Sequence, residues 1–208
     1  MIDLHLHSSY SLLDAWGLPH QIVSKCKELG RKAVAITDHD NVYALPLLQD
    51  LCEKEDMKPI FGCELRFIED IKENRKEKCH ITLLAKNYTG YKNLMHLVTA
   101  AHHPDCFYYY PTIDLFMLKE CSEGIIVLSA CIQGIINSYI LNNNLEGAVK
   151  MAKWFKDVFG DNFYLEIMPH EMDEINVITP VLRAIHVKYD IPLVLTNDVH
   201  FLNKDQYI

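Results

Sequence analysis

The chain has 208 residues, half of them apolar, enough to bury a full core as one domain. Its 28 acidic and 20 basic residues leave a formal charge of −8, the wrong sign for a module that grips nucleic acid by charge alone. No apolar run approaches the roughly 18 residues of a membrane span and no secretory leader opens the chain, so a soluble cytoplasmic protein is expected.

Short apolar runs alternate with helical patterns along the whole chain. The runs predict strands at Ile2–His7, Ala33–Thr37, Ile60–Arg66, Ile81–Ala85, Ile125–Leu128, Phe163–Ile167 and Leu193–Thr196. Between them, Pro19 sits where a first-turn proline belongs and Gly30 follows Leu29 where that helix would end. A second helix is expected from a cap at Asn41 to about Asp56, with Pro46 near its first turn. Further helical patterns cover Tyr91–Ala101, Gly134–Leu141, Leu145–Phe159 and Glu174–Tyr189. Such alternation implies right-handed βαβ units and a parallel sheet, and seven units fit a closed or distorted barrel better than an open sheet. The charged segment Glu69–Lys78 reads as a solvated loop, and Phe107–Tyr110 as a packed loop. The chain stops soon after the seventh predicted strand, which reads as a piece of something longer.

The ionisable residues gather at strand ends. His5 and His7 are two apart on the first predicted strand and so project from one face. Alone, this H-x-H pattern divides evenly between hydrogen-bonded core histidines and ligands of a divalent metal. The second run ends in Asp38-His39-Asp40 and the seventh in Asp198-Val199-His200, and functional groups collect at such ends in parallel α/β folds. Glu64 is a lone carboxylate in an apolar strand, which metal or a buried ion pair would neutralise. Locally, His80 reads as a strand-entry histidine, Cys131 as a packing residue and Asp14 as a turn aspartate or loop ligand. The seven cysteines form no C-x-x-C pair, which argues against a disulfide framework or a zinc finger. The cluster His102-His103-Pro104-Asp105-Cys106 lies in a proline-containing loop and reads as surface.

The segment from His5 to Asp14 resembles the opening motif of the PHP (polymerase and histidinol phosphatase) domain in DNA polymerase III alpha subunits. So do Ala35–His39, Lys58–Glu64, His80–Asn87, Gly90–Met95, Glu123–Ser129, Phe163–Glu166 and Thr196–His200, in family order across nearly the whole chain. The resemblance implies an α/β fold, a PHP-type distorted (β/α)7 barrel over residues 1–208, with metal ligands at the C-terminal ends of the strands. It places nine metal ligands on His5, His7, Asp14, His39, Glu64, His80, Cys131, Asp198 and His200. His5, His7, His39, Glu64, Asp198 and His200 would carry the catalysis. The activity expected is metal-dependent phosphodiester hydrolysis, as 3′-5′ proofreading within a replicase. Its partners would be the 3′ end of a primer strand, the remaining polymerase domains and the replicase subunits. The polymerase palm aspartates have no counterpart here, so this stretch alone should not polymerise. Two or three divalent ions are expected, zinc favoured over magnesium by the His and thiolate ligands, with manganese as the alternative. Asp3, Asp38 and Asp40 are candidates to orient ring nitrogens that face away from metal. The readings from other classes are a metal-stabilised scaffold without turnover and a free-standing phosphatase of the histidinol phosphatase type.

Overall fold

The computed structural model describes residues 2–73, 78–203 and 206. Helix α1 (Pro19–Glu28) precedes β1 (Ala33–Ile36), and α2 (Leu45–Lys54) leads to the long β2 (Lys58–Ile68). Then come β3 (Cys79–Ala85), α3 (Tyr88–Ala101), β4 (Phe107–Tyr108), β5 (Tyr110–Asp114) and α4 (Leu115–Glu120). The chain continues through β6 (Ile125–Leu128), α5 (Ile135–Leu141), α6 (Leu145–Phe159), β7 (Phe163–Ile167), α7 (Asp173–Tyr189) and β8 (Leu193–Leu195).

The sheet is not wholly parallel, which corrects the expectation drawn from alternation. β3 runs antiparallel to both neighbours, β2 and β6, whereas β1–β2, β2–β5, β6–β7 and β7–β8 are parallel pairs. The cause is the connection between β2 and β3. Its described part contains a single three-residue turn of 3₁₀ helix at Ile71–Glu73, and parallel neighbours need a crossover of roughly a dozen residues or more. The expected loop at Glu69–Lys78 is partly outside the described residues.

The predicted strand Ile2–His7 shrinks to a bridge at Leu6, and its segment links the end of β1 to the stretch after β8. Thr37 N–H donates to Leu6 O, His7 N–H to Val199 O and Val199 N–H to His5 O, so residues 5–7 lie between the ends of β1 and β8. The sheet therefore curls on itself. The stretch after α3 also differs from expectation, since Phe107, Tyr108 and Tyr110 belong to the paired strands β4 and β5, with Tyr109 as the bend between them. Pro111 is tolerated near this sheet edge because no ladder donor is lost there from a central strand.

Helix ends follow local chemistry. Asn87 caps α3 and Asn144 caps α6, each accepting a backbone N–H three residues on. Asn41 caps no helix, contrary to expectation. Its amide donates to Tyr10 O and His39 O and accepts from Tyr43 N–H, holding a turn before α2 begins at Leu45. The core is continuous between sheet and helices. Helix α6 buries Ala148, Met151, Ala152, Phe155 and Phe159 at helical spacing, and the Phe155 ring stacks on Phe163 of β7 at 5.0 Å. Each such fully buried ring contributes roughly 1.5–3 kcal/mol relative to exposure.

Candidate metal centre

The antiparallel setting of β3 explains why His80 belongs to the cluster although it opens a strand. The start of β3 lies beside the C-terminal half of β2, with His80 opposite Arg66 and Thr82 opposite Glu64. Candidate positions that follow β1, β6 and β8 and the one that begins β3 thus meet at one mouth of the curled sheet.

Glu64 stands at the middle of this mouth and is fully buried. Its Oε1 lies 3.2 Å from His5 Nε2 and 3.2 Å from His80 Nδ1, and its Oε2 3.0 Å from His39 Nδ1 and 3.4 Å from His7 Nε2. Asp198 Oδ1 reaches His5 Nε2 and His7 Nε2 at 3.3 Å each. On the solvent side Asp14 Oδ2 receives His39 Nε2 at 2.8 Å and His200 Nε2 at 3.0 Å. Cys131 Sγ sits 3.8 Å from both Glu64 Oε1 and His80 Nδ1. All nine residues singled out by the resemblance therefore form one connected group.

Three triads within it have ligand atoms close enough to share an ion: His5-His7-Glu64, His39-Glu64-His80 and His7-His39-His200. Glu64 belongs to two of them and offers a different oxygen to different histidines, so it can bridge. The alignment of the atoms is the fit test for a metal. His5 Nε2, His7 Nε2, Glu64 Oε2 and Asp198 Oδ1 are buried and, among the described residues, lack a hydrogen-bond partner although they crowd within 3.4 Å of one another's groups. Buried polar atoms that point at a common centre instead of at each other fit an ion at that centre.

Charges inside the cluster agree. Burial pulls the His5 imidazole down, but Glu166 and Glu64 outweigh it and raise it well above 6.5. His39 is likewise raised by Glu64 and Asp14 against burial, while burial lowers His7. Burial raises the carboxyls, yet the surrounding histidines hold Glu64 well below its usual range and hold Asp198 at about 2. Burial and the Glu64 and Asp198 charges raise the Cys131 thiol well above 9, so without metal it is neutral. An ion would have to displace protons from His5 and His39 to bind.

The groups that orient the rings differ from those expected. Asp3 binds Arg31 and Asn197, Asp40 binds Arg66, and Asp38 accepts from Ser8 and Ser11. The His7 Nδ1 contact is with Ser11 Oγ at 2.9 Å, so Asp38 acts on it through that hydroxyl, and His200 Nδ1 faces Asp198 O at 2.9 Å. The residue that sequence reasoning missed is Glu166 on β7, whose Oε1 lies 2.7 Å from His5 Nδ1 and also accepts from the Thr196 hydroxyl. A carboxylate in an apolar strand had marked Glu64, and the same signal is present in Phe163-Tyr164-Leu165-Glu166. His102, His103 and Cys106 lie outside the cluster, with both histidines exposed at the end of α3.

A curled α/β sheet that gathers histidines and carboxylates at one mouth is the architecture of a metal-binding barrel. The chain belongs to the PHP domain family, whose model matches residues 3–170. It is 36% identical over 214 residues to the DNA polymerase III subunit alpha of Treponema pallidum (strain Nichols), covering 100% of this chain and 18% of that protein. It is 38% identical over 218 residues to the same subunit of Aquifex aeolicus (strain VF5), covering 99% of this chain and 19% of that protein. The chain thus spans less than a fifth of the length of these relatives. Among solved structures it superposes on a putative metal-dependent phosphoesterase from Bifidobacterium adolescentis with a TM-score of 0.63 and 14% identity, over 96% of this chain and 87% of that one. An amidohydrolase from Chromobacterium violaceum gives a TM-score of 0.59 at 12% identity, over 98% and 89% of the two chains. Among the described residues no helix is long and apolar enough to cross a membrane.

Proposed function

We propose that residues 1–208 are the PHP domain of a DNA polymerase III alpha chain and that their cluster hydrolyses phosphodiester bonds, as a 3′-5′ exonuclease acting on a primer end in the cytoplasm. The observation that carries this reading is the buried Glu64 within 3.4 Å of four imidazoles, with the inward Nε2 atoms of His5 and His7 left without a hydrogen-bond partner among the described residues. His5, His7, His39, Glu64, Asp198 and His200 would hold two or three divalent ions, zinc or manganese, with Asp14, His80 and Cys131 completing the set. When bound, such ions supply Lewis acidity and neutralise phosphate charge.

The chain's own contribution is positioning. Glu166 fixes the ring of His5, and Ser11 with Asp38 fixes that of His7, so both present Nε2 inward. The cleft above the cluster encloses about 1150 Å³, room for a terminal nucleotide, and is lined by His39, Glu64, His80, Asp14 and His200. In the relatives the matching region is less than a fifth of a far longer polymerase chain, which supports remaining polymerase domains and replicase subunits as partners here.

The test is hydrolysis of 5′-labelled single-stranded DNA by the zinc- or manganese-loaded protein, beside His39→Ala and a chelator control. Stepwise shortening from the 3′ end that disappears in both controls supports the exonuclease. A folded, metal-loaded sample that cuts nothing supports a scaffold whose metals only hold the fold. Preference for phosphomonoesters would instead indicate a phosphatase.

A further inference from the structure

We propose that Arg66 is the phosphate-recognition residue of this cleft, presenting its guanidinium to a non-bridging oxygen of a phosphate ester seated beside His39 and Glu64. The inference rests on reading the cleft as a phosphoester site. Arg66 is two residues beyond Glu64 on β2, so strand alternation sends both side chains to the same face. It lines the same cleft as His39, Glu64, His80 and Asp14, and among the described residues only Arg66 and Lys78 bring a Lys or Arg charge to that lining. An anionic substrate entering a mouth walled by carboxylates needs such a positive pole opposite the metal ligands.

The guanidinium is held in place before any ligand arrives. The Asp40 carboxylate accepts from the Arg66 backbone N–H at 3.1 Å through one oxygen and pairs with Nη1 through the other. The Tyr110 ring lies 4.0 Å from the guanidinium carbon. A guanidinium has five N–H donors in a planar fork, and Asp40 engages Nη1, which leaves donors for a phosphate while the side chain loses little further freedom. About a fifth of the side chain is exposed, toward the cleft. The competing role is a structural clamp that ties the turn after β1 to β5.

Inorganic phosphate separates the two roles without recourse to turnover. The full-length protein is loaded with manganese, phosphate is titrated in, and binding is read from ³¹P relaxation for the parent, Arg66→Ala and Arg66→Lys. Manganese content and thermal midpoint are measured on the same samples. Expected is a loss of phosphate affinity of at least about tenfold in Arg66→Ala at unchanged manganese content, the scale of one charge-assisted hydrogen bond, with partial recovery in Arg66→Lys. Equal phosphate affinity in the parent and Arg66→Ala overturns the assignment, as does a loss that only tracks lost manganese or a loaded parent that binds no phosphate. Phosphate binding that depends on Arg66 in a protein that cleaves no phosphodiester would sustain this assignment and sink the exonuclease reading.

Discussion

Glu166 offers the sharpest test of how the cluster is held. Its carboxylate can only accept, so His5 Nδ1 must carry the proton in the 2.7 Å contact, which leaves Nε2 to face Glu64 and Asp198. Glu166→Gln keeps an oxygen for His5 and for the Thr196 hydroxyl but removes the negative charge that makes the imidazole a better donor to metal. Glu166→Ala removes the acceptor as well and frees the ring to turn. Loss of such an outer partner costs about 10–100-fold in metal affinity, so Gln should sit near tenfold and Ala near a hundredfold. These factors correspond to about 1.4 and 2.7 kcal/mol. Glu166 Oε2 is buried without a hydrogen-bond partner among the described residues, so Gln also buries an unpaired amide N–H there, costing about 1–3 kcal/mol of fold stability. The assay is competition for zinc against a chromophoric chelator at fixed pH, with unfolding followed separately on the metal-free protein. Zinc affinities of both variants within twofold of the parent would refute the idea that Glu166 sets the His5 ring.

Other consequences follow from the same geometry. Metal-free protein should lose stability as pH rises above about 6.5, because the raised imidazoles of His5 and His39 stabilise the fold only while protonated, whereas the lowered His7 acts in the opposite sense and only below about 6.5. Zinc-loaded protein should show the reverse trend, since protons compete with the ion, and thermal midpoints from pH 6 to 9 with and without zinc read both signs. Chelation at neutral pH should lower stability by about 4 kcal/mol if zinc had been present at a thousand times its dissociation constant, seen in denaturant titrations. Away from the site, Gly90→Ala should destabilise by more than about 2 kcal/mol, because a Cβ there would stand 1.8 Å from Gly124 O, backbone that joins α3 to the turn before β6. Its zinc affinity per folded molecule should stay at the parental value, measured by the same chelator competition.

Much of the architecture is legible in the residues because most strands here are short, apolar and bounded by turn residues. Phe163–Ile167 and Leu145–Phe159 form where periodicity sets them, and Pro19 and Gly30 mark the ends of α1 as their backbone preferences demand. Strand direction is not written in such runs. A parallel and an antiparallel β3 have the same burial on both faces, and only the lack of a crossover helix among the described residues between Ile68 and Cys79 separates them. That one feature decides whether His80 reads as a strand-entry residue or as a neighbour of Glu64. The stretch from Phe107 to Asp114 escaped assignment because aromatic residues, a proline and a Tyr109 in the left-handed region at φ 63° break the alternation. In the site, residues in paired patterns such as His5/His7 and Asp198/His200 stand out locally, whereas Asp14 and Cys131 gain meaning only from the resemblance. Glu166 carried the same local sign as Glu64 and lay in the resembling block Phe163–Glu166, but the resemblance gave it no ligand role.

The central claim is that one cluster around Glu64 holds the ions. Anomalous diffraction from zinc-soaked crystals of the full-length protein, collected across the zinc edge, tests it most directly. Two or more peaks about 2.0–2.2 Å from nitrogen and oxygen atoms of His5, His7, His39, His80 or His200, with Glu64 touching at least two of them, are expected. A zinc-saturated crystal with no peak at Glu64, and its four histidines still crowded around an empty centre, would contradict it.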